Sequence, residues 1–370
     1  MTHRERFYAA MNHEKVDRAV WDICGSPQTQ IDSEEIKKDM AKLLSIEGTA
    51  QDTIYLDERV LKALDIDTRL TGGMPTPRTN HNRSENGVIY DSYGIGYKNV
   101  GAHYEICHNP LKGKEIDEIM RYELPDADNI DMKLIEKWVM TAKYLHENTD
   151  YAVVAEHPVL GVFEIGCWLF GFDDYLYRCA MEPEMIHEFS GRILNYHKKT
   201  IEKYYGALGR YIDATTSGDD FGTQRSSLIS VEMFDDLIKP YLKERVSYTK
   251  KFTNAFFKQH TCGSVFFLIP SLIDCGIDML NPIQPGTYMM EPERLKEAYG
   301  KKLSFWGGID TQHLMVEKSY DEVKQEVKRI LTIFGNDGGY IMSPAHCIQP
   351  DVPALNVLAI YDAAKEFCNS

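Results

Sequence analysis

The chain has 370 residues, 43% of them hydrophobic and 26% charged, and carries a formal net charge of −15. That length holds one large domain or two ordinary ones, and the acidic balance argues against nucleic acid or an anionic membrane surface as a partner. No apolar run reaches the ~18 residues that a membrane-spanning helix needs, and the charged start Met1-Thr-His-Arg-Glu-Arg has no signal core. A cytoplasmic protein is expected. Its 8 cysteines then stay reduced and serve as thiols or ligands rather than as a disulfide framework.

Residues 2–12 read as a short amphipathic helix, capped by Thr2 with Glu5 in the capping-box position. A first strand over 19–24 ends at Gly25-Ser-Pro27. Helices over 33–45 and 51–64 lead into a second strand over 63–70. Residues 71–110 differ in kind. They hold Gly72-Gly73, two prolines, and Asn86-Gly87 between short alternating runs at 88–90 and 97–106, which predicts a hairpin. This segment is an excursion from the main repeat.

From 110 onward strand and helix alternate. Strands are expected over 151–155, 211–215, 255–259, 278–281, 303–306 and 339–343. Helices are expected over 131–148, 173–180, 183–206, 231–252, 264–275, 292–299, 319–335 and 353–367. Each strand is a short, continuous apolar run, as parallel strands buried on both faces require. Eight such strands close most simply into a single (β/α)8 TIM barrel spanning 1–370, with 1–18 as an N-terminal helical segment and 71–110 as a hairpin-containing insertion. An open doubly wound sheet is the alternative, but no Gly-x-Gly-x-x-Gly follows a strand.

In such a barrel the active site lies where strands end and βα loops begin. The strand ends here carry Cys24, Glu156 and His157, Asp219 and Asp220, His260 and Cys262, Asn281 with Gln284, Asp310, and His346 with Cys347. In extended backbone, residues i and i+2 point to one side. His260 and Cys262 therefore present an imidazole and a thiolate to one point, a pairing suited to zinc. Two ligands seldom hold a metal alone, and Cys347 is the best third. Three protein ligands with one open position describe a catalytic zinc. The competing reading is packing, because free cysteines are among the most buried residues.

Several stretches resemble the uroporphyrinogen decarboxylase superfamily: Ser217-Gly-Asp-Asp-Phe-Gly-Thr-Gln224, Leu228-Ile-Ser-Val-Glu-Met-Phe234, His260-Thr-Cys-Gly263, Leu280-Asn-Pro-Ile-Gln284, Phe305-Trp-Gly-Gly-Ile-Asp310, and Gly338 to His346 running into Pro350-Asp-Val-Pro353. The resemblance covers roughly 150–365 and implies a (β/α)8 barrel. It leaves two chemistries. True decarboxylases in the family act on a tetrapyrrole without metal and carry an arginine-rich N-terminal motif. The matching segment here, Ala19-Val-Trp-Asp-Ile-Cys-Gly-Ser-Pro-Gln28, has no arginine after Arg18. The other branch resembles methylcobamide:coenzyme M methyltransferases and O-demethylase components, and its zinc pattern matches His260, Cys262 and Cys347. By that resemblance the chain moves a methyl group between a small O-, N- or S-methyl compound and a corrinoid held by a partner protein.

The remaining strand-end residues have weaker assignments. Asp219, Asp220 and Glu156 are candidates for proton transfer, against ordinary loop or capping roles. His157, Gln284, Asp310 and His346 are candidates for the substrate pocket. The large helical faces permit a homodimer.

Overall fold

The computed structural model describes residues 1–48, 56–101, 104–335 and 337–369. The apolar runs become strands β1 (Val20–Trp21), β2 (Thr68–Gly72), β7 (Ala152–Glu156), β8 (Ala214–Gly218), β9 (Phe256–His260), β10 (Met279–Asn281), β11 (Ser304–Ile309) and β12 (Tyr340–Pro344), while β3 (Arg83–Glu85), β4 (Val88–Tyr90), β5 (Gly96–Asn99) and β6 (Tyr104–His108) form the excursion. The barrel strands run parallel in the order β1-β12-β11-β10-β9-β8-β7-β2. The gap between β1 and β2 is bridged by Asp67, whose backbone N–H donates to the Trp21 carbonyl (3.0 Å) and whose carboxylate accepts from Trp21 N–H (2.7 Å). The expected (β/α)8 barrel is therefore the architecture found. No helix among the described residues is long and apolar enough to cross a membrane.

The excursion is a four-stranded antiparallel sheet, β3-β4-β5-β6, whose first hairpin turns at Asn86-Gly87. The expected run over 97–106 splits into β5 and β6, with Gly101 at φ +110 between them. The expected helix over 231–252 also divides, into Val231–Leu237 and Lys239–Thr249. Pro240 lacks an N–H and is tolerated only in the first turn of the second piece. The segment 264–275 is a short 3₁₀ turn, Phe266–Leu268, and a helix, Ile269–Asp274. The helix expected over 51–64 is seen as Glu58–Ala63, and 51–55 lie outside the described residues. The strand expected over 211–215 begins three residues later because Gly209–Tyr211 form a 3₁₀ turn. Its end at Gly218 then places Asp219 and Asp220 directly in the following loop. The short helices Ile116–Arg121 and Leu314–Glu317 are not anticipated by the sequence reading, nor is Val162–Phe170, which follows β7.

Parallel register sets the inward rows. Glu156, Thr216, Lys258 and Met279 pair across β7 to β10, and one step higher Gly218, His260 and Asn281 pair across β8 to β10. The upper row is the floor of the site.

The opposite end of the barrel is tied by a buried charge cluster. Asp67 accepts from Arg6 (2.6 Å), Arg18 (2.7 Å) and His3 (2.7 Å). Burial pushes the Asp67 carboxyl up, but His3, Arg18 and Arg6 outweigh it and hold it below the ordinary value. A carboxyl whose folded pKa is depressed stabilises above its unfolded pKa of about 3.9, and that contribution is lost as pH falls through the folded value. Asp67→Ala removes the carboxylate that Arg6 and Arg18 share, leaving Arg6 to Asp17 and Arg18 to Asp65, and is expected to cost about 3 kcal/mol. Urea unfolding checks this: the gap between parent and variant should be full at neutral pH and narrow below about pH 4.

Candidate metal centre

Strand β9 alternates so that Lys258 and His260 face the barrel interior, and the chain continues extended through Thr261 to Cys262. Gly263 then turns it away with φ +81. Any Cβ at Gly263 would lie 2.6 Å from the Gly222 carbonyl carbon, so the turn requires glycine. The Cys262 thiol lies 3.3 Å from His260 Nε2, and Cys262 N–H donates to Asp220 (2.8 Å). His260 Nδ1 lies 2.6 Å from Asn281 Oδ1, and the Asn281 amide nitrogen donates to the Trp306 carbonyl (3.0 Å). That second bond turns Oδ1 toward the ring and assigns the ring proton to Nδ1. Nε2 is left as a lone pair facing the thiol. Burial lowers the His260 pKa to about 4, so the ring is neutral and able to ligate.

The ligand atoms of His260, Cys262 and His346 all lie within 4.8 Å of one another. His260 is buried, Cys262 half-buried and His346 exposed, so the cluster opens toward the mouth. The two rings stand edge to face at 5.5 Å. Cys347, expected as the third ligand, is not part of this cluster. Strand β12 ends at Pro344, and in the turn that follows consecutive side chains diverge. His346 points to His260, while the Cys347 thiol donates to the Pro27 carbonyl (3.2 Å). Burial raises the Cys347 thiol to about 11.

The carboxyls sort into distinct positions. Asp220 lies 3.6 Å from His260 Nε2 as well as on Cys262 N–H. Asp219 is buried, accepts from Glu164 N–H (2.8 Å), and fits only because residue 161 is glycine, where a Cβ would collide with its carboxylate. Glu164, in the first turn of the helix Val162–Phe170, extends its carboxyl over Gly218, with Oε2 3.4 Å from where a Cβ would stand. Burial, reinforced by Asp219 and Asp220, raises the Glu164 pKa well above the ordinary value. Burial also raises Asp219, opposed by the buried Arg245. Glu156 ends β7 and is raised to about 7 by burial.

Gln284 and Asp310 line a cavity of about 500 Å³ together with Cys262 and His346. His157 does not join them. Its ring contacts Phe257 and Tyr205, with Nδ1 on the Val159 carbonyl (2.9 Å) and Nε2 on Thr249 (3.2 Å). The Asn281 orienting role and Glu164 were not anticipated. The apolar run around Glu164 carried no helix start signal, because its N-cap is Gly161.

His260, Cys262 and His346 offer two imidazoles and a thiol, a donor set that fits a borderline-soft metal. Removing the amide that orients a ligating histidine typically weakens metal binding about 10–100-fold. Asn281→Ala is expected to do so here, read by zinc competition against a chromophoric chelator, with far-ultraviolet circular dichroism showing that the barrel persists.

A family model described as uroporphyrinogen decarboxylase (URO-D) matches residues 107–367. Uroporphyrinogen decarboxylase from Pseudomonas savastanoi pv. phaseolicola is 24% identical over 135 residues, 34% of this chain and 36% of that protein. Methylcobamide:CoM methyltransferase MtaA from Methanosarcina barkeri is 24% identical over 136 residues, 36% of this chain and 38% of that protein. The alignments thus span little more than a third of these curated relatives. A solved methyltransferase from Methanosarcina mazei shares the fold with a TM-score of 0.67 at 17% identity, covering 99% of each chain. With the family model covering well over half of its length, the chain belongs to the uroporphyrinogen decarboxylase family.

Proposed function

We propose that the chain is a zinc-dependent methyltransferase that moves a methyl group between a small O-, N- or S-methyl compound and a corrinoid carried by a partner protein. The observation that carries this reading is the convergence of His260, Cys262 and His346 within 4.8 Å at the barrel mouth, beside Cys347. A cytoplasmic setting suits a site built on reduced thiols. The similarity to methylcobamide:CoM methyltransferase MtaA supports the same reading.

His260 and Cys262 would hold the metal, with Cys347 as the proposed third ligand and His346 as its rival. The case for Cys347 is chemical. A thiolate is a strong zinc ligand, and this thiol gives up only one weak S–H···O bond to Pro27. When bound, zinc supplies a Lewis acid that holds a thiol as its anion or polarises an oxygen. The chain's own residues do the rest. Asn281 fixes the His260 tautomer, and Asp220 anchors the Cys262 backbone. The adjoining cavity binds the small substrate. Glu164, whose carboxyl burial shifts toward its protonated form, stands where it would give a proton to a departing heteroatom.

The curated relative named uroporphyrinogen decarboxylase favours a second reading, decarboxylation of a tetrapyrrole. A polycarboxylate needs several cations. Residues 19–28 supply none, and Arg18 is engaged with Asp65 and Asp67 at the far end of the barrel.

Metal analysis separates the two. About one zinc per chain is expected in the purified parent, lost in Cys262→Ala and in Cys347→Ala but retained in His346→Ala. Loss in His346→Ala with retention in Cys347→Ala would reassign the third ligand. A parent without metal after growth in excess zinc would sink the methyltransferase reading and favour the decarboxylase.

A further inference from the structure

We infer that the cavity beside the metal cluster selects an uncharged methyl donor bearing a hydrogen-bonding hydroxyl and excludes anions, with Asp310 and Gln284 setting the choice. This rests on the methyltransferase reading and narrows it to the donor side of the reaction.

The argument begins with charge. No lysine or arginine is among the described residues that line the cavity, and the one carboxylate there is Asp310. Arg225 follows Gln224 in the loop but is not part of the lining. The two nearest buried cations do not reach the space. Lys258 is 0% exposed, with its ammonium on Gln28 (3.2 Å) and 4.4 Å above the Trp306 ring. Arg245 is 1% exposed and faces Asp219 and Glu164. Asp220 adds an acidic group beside the metal cluster, 3.6 Å from His260 Nε2. Away from the metal itself, an entering carboxylate, sulfonate or phosphate would find no counter-ion in the lining and would meet Asp310 at short range, a like-charge encounter that costs several-fold in affinity or more.

Direction comes from the polar groups. Asp310 Oδ1 is occupied by the N–H groups of Gln312 (2.8 Å) and His313 (3.3 Å), so the carboxylate cannot swing away. Its Oδ2 has no donor among the described residues and remains an acceptor for a ligand hydroxyl. Gln284 Oε1 accepts from Gly263 N–H (2.7 Å), which fixes the amide and leaves both of its N–H groups as donors. Thr223, Gln224, Thr311 and Gln312 complete a wall of uncharged hydrogen-bonding side chains. About 500 Å³ admits one small ring with substituents.

The test uses the full chain, first shown by metal analysis to hold zinc. Calorimetry at pH 7 compares 3-methoxyphenol, uncharged there, with 3-methoxybenzoate, ionised there. The phenol is expected to bind at least about tenfold more tightly, the scale of one like-charge pair. Asp310→Asn keeps an acceptor for Gln312 and His313 while removing the charge, and should shrink that preference to about threefold or less. Gln284→Leu should weaken the phenol without favouring the benzoate. Equal or tighter binding of the benzoate to the parent overturns the inference, as does failure of the phenol to bind a zinc-loaded chain. Either result leaves the metal reading standing, whereas a chain without zinc fails at the earlier step.

Discussion

The site depends on the hydrogen bond between His260 Nδ1 and Asn281 Oδ1. It exists because β9 and β10 run parallel and in a register that sets His260 beside Asn281. Neighbours in such a row share a face, so their side chains meet inside the barrel. Asn281 is oriented in turn by the Trp306 carbonyl of β11. The order therefore passes through three adjacent strands and ends at a single nitrogen lone pair. Gly218 occupies the same row on β8 and contributes no side chain. The space it leaves admits the Glu164 carboxyl. A one-residue slip of β9 would turn His260 toward the helices and bring Gln259 inward.

Charge is partitioned along the barrel axis. The N-terminal arginines gather at the closed end, where Arg6 and Arg18 grip Asp67 and Arg4 lies 3.3 Å from Asp213. In the interior, burial lowers Lys258 to about 7 and raises Asp22, while Asp22 accepts from Thr68 and from the Trp306 indole (2.9 Å). At the mouth, carboxyl groups dominate: Asp220 and Asp310, with Asp219 and Glu164 shifted by burial toward their neutral forms. Cations used to hold the barrel together are thereby unavailable to bind substrate anions. The same partition leaves Arg18, just before the first strand, engaged with Asp65 and Asp67 rather than at the mouth.

The barrel was legible because buried parallel strands are uninterrupted apolar runs, and eight of them alternate with helices. The His-x-Cys pair was legible because extended backbone has a period of two. What failed to be legible lies where periodicity stops. His346 and Cys347 are adjacent in a turn after β12, so the backbone path decides which of them faces His260. His157 follows Glu156 at the end of β7, yet its ring is drawn between Phe257 and Tyr205 rather than into the mouth. Glu164 sits in an almost wholly apolar helix with a glycine N-cap, which gives neither an amphipathic stripe nor a capping signal. Only the packed structure places its carboxyl over Gly218.

The loops after β8 and β9 are mechanically one unit. Gly222 follows β8 and Gly263 follows β9, and the two backbones touch. A Cβ at Gly222 would run into the Cys262 carbonyl, and one at Gly263 would meet Gly222. Ser264 N–H donates to the Thr223 carbonyl (2.7 Å), and Tyr288 N–H to the Gln224 carbonyl (3.1 Å), which binds the loop after β10 to the same wall. Gln284 then clamps Gly263 from that third loop. Barrel enzymes change substrates by changing βα loops. Here any change that lifts the 222–224 segment also moves the turn that aims Cys262. On the proposed reading, ligand selection and the aim of Cys262 are thus set by the same few backbone contacts, which would confine variation in substrate to side chains such as Gln224, Gln284 and Asp310 that line the cavity.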